Sequence, residues 1–256
     1  MLLHLISFSP TGTTRKIVET IAAGFAAEQI ERYDLTRMAE PPELQLDEGC
    51  AVIGIPVYAG RVPEVCLQRL AGITAEGIPA VLVAVYGNRE YEGALVELRD
   101  IVTTAGFSVV AGGAFIGEHS YSTDEQPIAA GRPDQSDLNK AKVFGRQVAQ
   151  KLAKDPICPE LAGNTPYRER VKFGGIAPQT DPATCTLCGR CVEVCPMFVV
   201  TVDQQVSTAA ERCVMCCACS KSCPTGARSM DHPFVQQRRQ MLQENCRQRK
   251  EPTLFL

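Results

Sequence analysis

Residues Leu2–Lys16 read LLHLISFSPTGTTRK. LLHLISF (2–8) is mostly apolar and strand-length, as a strand buried on both faces should be. Beyond the loop, Ile17, Val18, Ile21, Ala22 and Phe25 recur at helical spacing, which predicts a helix over 13–27. The connecting SPTGTTRK places four hydroxyls (Ser9, Thr11, Thr13 and Thr14) around Gly12, directly before that helix. Free backbone N–H groups and the helix dipole converge there with the hydroxyls, so the loop can hold a phosphate without a dedicated lysine. GxxxxGK and GxGxxG are both absent, so it is neither a Walker loop nor the dinucleotide fingerprint. Ser and Thr are ordinary helix caps, and capping alone would account for one of the four.

The same alternation continues outward. A short strand is expected around 30–35, then strands at CAVIGIP (50–56), AVLVAVY (80–86) and FSVVAGGAFIG (107–117). Helical patterns lie near 63–71, 91–105 and 135–153. Five strands alternating with helices predict an α/β fold, a doubly wound five-stranded parallel sheet, over 1–153. In such sheets ligands sit outside the carboxyl ends of the strands. The segment 154–182 is rich in Pro and Gly and reads as a linker. A cysteine-rich stretch fills 183–232. Residues 233–256 read as a polar helix, over 233–250 with a thin apolar stripe, and a tail. Within PFVQQRRQMLQENCRQRK (233–250), five Arg or Lys stand against one Glu, so this segment is a candidate strap on the more acidic first domain.

The chain has 256 residues, 45% of them hydrophobic, enough for one α/β core and a small second unit. A net charge of −3 gives no electrostatic case for nucleic acid. MLLHLISFSP lacks a basic n-region and a cleavage site, and no run approaches a membrane span. The chain is therefore expected in the cytoplasm, where thiols stay reduced and thirteen cysteines point to metal rather than disulfides.

The loop Ser9-Pro10-Thr11-Gly12-Thr13-Thr14 resembles the flavodoxin phosphate loop, Ser/Thr-x-Thr-Gly-x-Thr. That resemblance implies FMN, held by its monophosphate. In PVYAGRVP it puts Tyr58, with Ala59 and Gly60, against one flavin face. YGNREYEG (86–93) is similar to the family's Gly-Asp-x-x-Tyr-Glu stretch. There Asn88 stands for the Asp and Tyr91 for the stacking Tyr, and Tyr86 opens the stretch. Two tyrosines can sandwich a flavin by offset stacking, with the backbone of Gly87, Asn88 and Arg89 at its pyrimidine edge. The chain has no tryptophan, and Pro10 stands where the family often has an aromatic. After the fifth strand, GEHSYST (117–123) brings Glu118, His119 and Ser120 to the expected flavin edge. Glu118 and His119 are candidate proton donors there, and a plain polar loop is the alternative. His4 reads as a packed core residue and His232 as a loop residue.

Cys185–Pro196 read CTLCGRCVEVCP, and Cys213–Pro224 read CVMCCACSKSCP. Each is C-x2-C-x2-C-x3-C-P. The spacing is that of bacterial two-cluster ferredoxins, in which the fourth Cys ligates the other cluster. Three closely spaced thiolates wrap three corners of a cubane, and the fourth heads away past the Pro. That resemblance implies one 4Fe–4S cluster on Cys185, Cys188, Cys191 and Cys223. The second falls to Cys213, Cys216, Cys219 and Cys195. Cys217 is out of register. Zinc sites pair two C-x2-C elements and need neither the third Cys nor the Pro. Cys50 and Cys66 read as small buried residues, and Cys158 and Cys246 have no metal-spacing partners. Fifty residues bury little apolar surface, so this small α+β ferredoxin-like domain is expected to need its metal. Val192, Val194, Phe198, Val199, Val200 and Val202 form the expected shell around the iron.

The whole chain resembles the flavodoxin–ferredoxin fusions of anaerobic prokaryotes, as does its KEPTLFL ending. The resemblance implies an electron-transfer protein that passes electrons between FMN and two clusters, and on to protein redox partners. Those partners would be a ferredoxin-like donor or acceptor, or a downstream reductase. The alternative is a flavin-dependent reductase of a small molecule, fed by ferredoxin or NAD(P)H.

Overall fold

The computed structural model describes residues 1–154, 156–172 and 174–256. Five parallel strands build the main sheet: β1 (Leu2–Ser7), β2 (Gln29–Asp34), β3 (Cys50–Pro56), β4 (Pro79–Tyr86) and β5 (Ser108–Ile116). Their spatial order is β2-β1-β3-β4-β5, the flavodoxin-like doubly wound arrangement. Alternate residues of each strand face opposite layers. Ile6, Ile53, Ile55 and Leu82 pack into the layer under α2 (Glu64–Leu70) and α3 (Ala94–Thr104). Leu3, Leu5, Val52 and Val83 pack into the layer under α1 (Thr13–Phe25) and α4 (Gln135–Leu152). The last two helices cross closely because Gly24 and Gly145 face each other. A Cβ on Gly145 would lie 2.0 Å from the Ile21 carbonyl oxygen.

The second domain is a small ferredoxin-type α+β unit. Strand β6 (Gln179–Thr180) pairs antiparallel with β9 (Arg228–Ser229), and β7 (Val200–Val202) with β8 (Val206–Thr208). Each cysteine run wraps into a single helical turn, α5 (Arg190–Glu193) and α6 (Ala218–Lys221). The two runs repeat one backbone path. Left-handed residues fall at matching places, Leu187 with Met215, Gly189 with Cys217 and Phe198 with Gly226. Cys217 therefore stands where the first run uses glycine.

Helix α7 (Pro233–Asn245) follows, started by His232, whose Nδ1 accepts the Phe234 N–H at 3.2 Å. It stops five residues short of the expected 250. The chain then adds a sixth strand to the main sheet, β10 (Thr253–Phe255), antiparallel to β5. This covers an edge that would otherwise present unpaired backbone groups. The segment before the second domain is not a free tether. Leu161 is buried in the first domain's core. Arg168 pairs with Glu92, and Arg170 joins Arg61 on the buried carboxylate of Glu97. Asp155 and Phe173 lie outside the described residues. No described helix is long and apolar enough to cross a membrane.

Candidate functional site

A cavity of about 470 Å³ opens at the carboxyl ends of β1, β3, β4 and β5. At one end lies the Ser9–Thr14 loop. Ser9 is buried, and its hydroxyl accepts the Arg15 N–H of the first turn of α1 at 3.0 Å. Its own amide donates to Thr36 Oγ1 at 2.8 Å, which fixes the loop. Gly12 takes a left-handed conformation before the helix, and its carbonyl accepts the Lys16 N–H at 3.0 Å. The first-turn amides of Thr13 and Thr14 have no helical carbonyl behind them. Thr11, Thr13 and Thr14 line the cavity wall beside them.

The middle of the cavity is aromatic and apolar. Tyr58 stands at a tight turn closed by paired backbone bonds with Arg61, with Ala59 and Gly60 both left-handed. Burial pushes the Tyr58 phenol well above its usual pKa, and the neighbouring Cys216, Cys217 and Tyr121 add to the rise. Tyr58 thus sits between the cavity and the cysteine domain. Tyr86 is buried, and burial foremost pushes it up to about 12. Gly87 is required as glycine, since a Cβ there would lie 2.3 Å from the His119 ring. Arg89 lines the wall and is paired with Glu92 at 2.6 Å.

His119 and Glu118 both line the cavity, with different chemistry. Burial, then the charges of Arg89 and Lys221, hold His119 down to about 4, so it is neutral near pH 7. Its Nδ1 accepts the Tyr121 N–H at 3.0 Å, which leaves the ring proton on Nε2. Glu118 does not suit proton donation. Burial pushes its carboxyl up, but hydrogen bonds from Lys221 (2.7 Å) and the Gly131 amide (3.0 Å) more than offset this. It stays ionised as an anchor for the second domain.

Four expected cofactor residues are not on the wall. Gly12 is the helix cap. Gly60 faces Glu92. The Asn88 side chain donates to the carbonyls of Cys246 and Gln248 at 2.7 and 2.9 Å, so it holds the C-terminal strap. Tyr91 packs on Tyr86, with ring centres 5.7 Å apart, and its phenol is hydrogen-bonded to Thr253 of the tail. Asn88 and Tyr91 are thus both engaged by the C-terminal strap and tail rather than by the cavity. Conversely, residues with no motif of their own complete the wall. Arg168 and Val171 come from the linker and Val214 and Met215 from the cysteine domain, while Phe234, Arg238, Met241 and Leu242 come from α7. The one trace of this roof in the sequence is the thin apolar stripe of α7.

Two smaller cavities lie inside the second domain. Cys185, Cys188, Cys191 and Cys223 all line one, while Cys195, Cys213, Cys216 and Cys219 all line the other. Cys217 also touches the second, but its thiol is turned to the Met215 carbonyl at 3.6 Å, and burial first pushes it up to about 12. Burial also raises Cys213 and Cys216, opposed by the amides of Met215 and Ala218. At Cys223 the balance reverses. Burial is outweighed by hydrogen bonds that include the Arg228, Thr225 and Ala227 amides. N–H groups aimed at sulfur stabilise thiolates and tune clusters.

Among the described residues, no three His, Cys, Asp or Glu side chains converge tightly enough for one metal ion. Each of the two cavities is only about 20 Å³, so it is the donor set, four cysteines to each, that fits a 4Fe–4S cluster rather than one ion. Ser220 Oγ and Arg228 Nε, buried polar atoms without partners, are both in this domain. Such orphans fit acceptors that a cluster's sulfides would supply. Of the expected apolar shell, Val199 and Val200 are buried, but Phe198 is turned outward under Arg37, 4.8 Å from its ring centre.

A 4Fe–4S dicluster family model matches residues 177–224. The second domain is thus an iron–sulfur domain joined to a flavodoxin-like one. No curated protein matches the chain. Among solved structures, a flavodoxin from the domain Archaea is 14% identical, with a TM-score of 0.39, covering 60% of this chain and 99% of that one. The Streptococcus pneumonia TIGR4 flavodoxin is 15% identical, with a TM-score of 0.40, covering 60% and 98%. An FMN-dependent NADH-azoreductase from Bacillus anthracis is 12% identical, with a TM-score of 0.41, covering 60% and 100%.

Proposed function

We propose that this chain is an electron-transfer iron–sulfur flavoprotein, relaying electrons between FMN in the large cavity and two 4Fe–4S clusters, and on to protein redox partners. One observation carries the reading: Val214 and Cys216 belong to the walls of both the large cavity and the second cysteine cavity. A flavin in the first and a cluster in the second would be separated by little more than one side chain.

When bound, FMN exchanges one or two electrons and each cluster one, and the protein supplies position and environment. Thr11, Thr13, Thr14 and the first-turn amides of α1 hold the phosphate. Tyr58, Ala59, Tyr86, Gly87 and Arg89 line the ring's place. Met215, Phe234, Met241 and Leu242 keep water from it, which strengthens every electrostatic interaction inside. His119 keeps a proton on Nε2 at the wall. Cys185, Cys188, Cys191 and Cys223 hold the outer cluster, whose Cys188 is exposed. Cys195, Cys213, Cys216 and Cys219 hold the inner one. External carriers, a ferredoxin-like protein or a downstream reductase, meet the chain at the outer end. None of the thirteen cysteines forms a disulfide, and a reducing cytoplasm would keep them so.

Analysis of anaerobically purified protein tests this. The expected content is about eight iron, eight sulfide and one FMN per chain. Bleaching by reduced ferredoxin or dithionite, but not by NADH or NADPH, supports the relay. Prompt catalytic bleaching by NAD(P)H would replace it with a small-molecule reductase, and stoichiometric zinc without sulfide would overturn the cluster assignment.

A further inference from the structure

A guanidinium stays charged in proteins, and burying it without a carboxylate is costly. Arg228 is 4% exposed and makes no ion pair with any described carboxylate. Nη1 donates to Thr180 Oγ1 at 2.8 Å and Nη2 to Thr208 Oγ1 at 3.0 Å, while Nε has no partner. Two neutral hydroxyls do not balance a buried cation.

What faces the cation is sulfur. Nη2 lies 3.6 Å from Cys219 Sγ, in the inner ligand set. The same side chain lines the outer cavity beside Cys185, Cys188, Cys191 and Cys223. Its backbone amide is hydrogen-bonded to the Cys223 sulfur. Arg228 therefore touches both ligand sets at once. The internal repeat isolates its purpose. Val200 holds the matching place after Cys195 that Arg228 holds after Cys223, and both are buried at 4% exposure. An apolar side chain satisfies the packing at that position, so the guanidinium is there for its charge and its donors.

We propose that Arg228 is a positioning residue that acts as the counter-charge shared by the two clusters, raising both reduction potentials and that of the Cys219 cluster most. This rests on the reading that both cavities hold 4Fe–4S clusters. A cluster with four thiolates is anionic and gains one more negative charge when a donor's electron reduces it. A fixed cation in a water-poor interior therefore favours the reduced form. It also makes the two reductions interdependent, because one cation serves both.

The test uses full-length holoprotein with Arg228→Met, Arg228→Gln and Arg228→Lys. Iron and sulfide are counted first, and cluster midpoint potentials are then measured by anaerobic spectroelectrochemistry with electron paramagnetic resonance. Met and Gln are expected to weaken the reduction equilibrium of both clusters at least tenfold, about 59 mV for a one-electron couple. Lys, which keeps the charge, is expected to lose less than half of that shift. If Met fails to take up iron, Gln, whose amide can still bond the two threonines, carries the comparison. Loaded Met or Gln protein with unchanged potentials overturns the assignment, as does a Lys variant that falls as far as Met. Failure of all three to load would make Arg228 a folding residue and overturn it equally. Wild-type protein without iron and sulfide would instead overturn the cluster reading beneath it.

Discussion

Ile53 and Cys219 are both buried, yet their surroundings differ in kind. Around Ile53 the first domain packs Ile6, Leu82, Ala84 and Leu98 on one side of the sheet, with Phe115 and Phe144 fully buried on the other. Around Cys219 the core is Cys191, Cys195, Val199 and Val200, so three of the five buried members are cysteines proposed as cluster ligands. The first domain buries apolar side chains on both faces of its sheet. The second uses its core positions for sulfur, and its stability is therefore expected to come with its metal.

The largest effect should come from removing that metal. Anaerobic chelation is expected to unfold residues 177–230 and to leave the 1–154 sheet protected. Circular dichroism and limited proteolysis would report loss of one region only, and equal loss of both would break the contrast. Next comes Cys216→Ser, set against Cys217→Ser. The first is expected to remove about half of the iron, and the second to leave iron content unchanged, since Cys217 turns its thiol to a carbonyl.

A purely protein-made anchor gives the counterexample. Asp137 is completely buried against Arg132 and also meets Arg249 of the strap at 3.4 Å. Asp137→Ala leaves a buried guanidinium unpaired, which costs about 3–5 kcal/mol. Thermal melting of the first domain should fall by roughly 2–4 °C for each kcal/mol, with cluster absorbance little changed at ambient temperature.

The smallest effect is a pH slope. His119 is held at about 4 when folded, against an ordinary value of 6.5. Between these values the unfolded chain binds the extra proton, so stability falls as pH drops from 6.5 to 4. His119→Gln should show a shallower fall in denaturant midpoints over that window, and parallel curves would remove the buried, neutral assignment.

The contrast also explains what the sequence made legible. Strands such as AVLVAVY and the stripe through Ile17 and Ile21 carry period and burial in consecutive residues, so the doubly wound sheet could be read directly. The two C-x2-C-x2-C-x3-C-P runs carry their geometry in spacing, and the cavities group those cysteines as the spacing implied. The roof of the large cavity had no such local signature. Phe234, Met241 and Val214 meet Tyr58 only through chain folding over long separations. The place of Tyr91 is hidden for the same reason, because Thr253 reaches it from the far end of the chain. Asn88 was likewise taken by carbonyls more than 150 residues away. Arg228 matched no motif, and its place between two ligand sets became visible only once β6, β8 and β9 had come together.

Intramolecular electron exchange in oxygen-free holoprotein is the most direct measurement of the central claim. A sub-stoichiometric pulse of reductant would be followed at the flavin and cluster wavelengths in wild type and Cys216→Ser. The account predicts exchange between flavin and iron at a rate independent of protein concentration, slowed or lost when Cys216→Ser removes the inner cluster next to the flavin. Flavin and clusters that titrate separately, or exchange only at rates proportional to concentration, would contradict it.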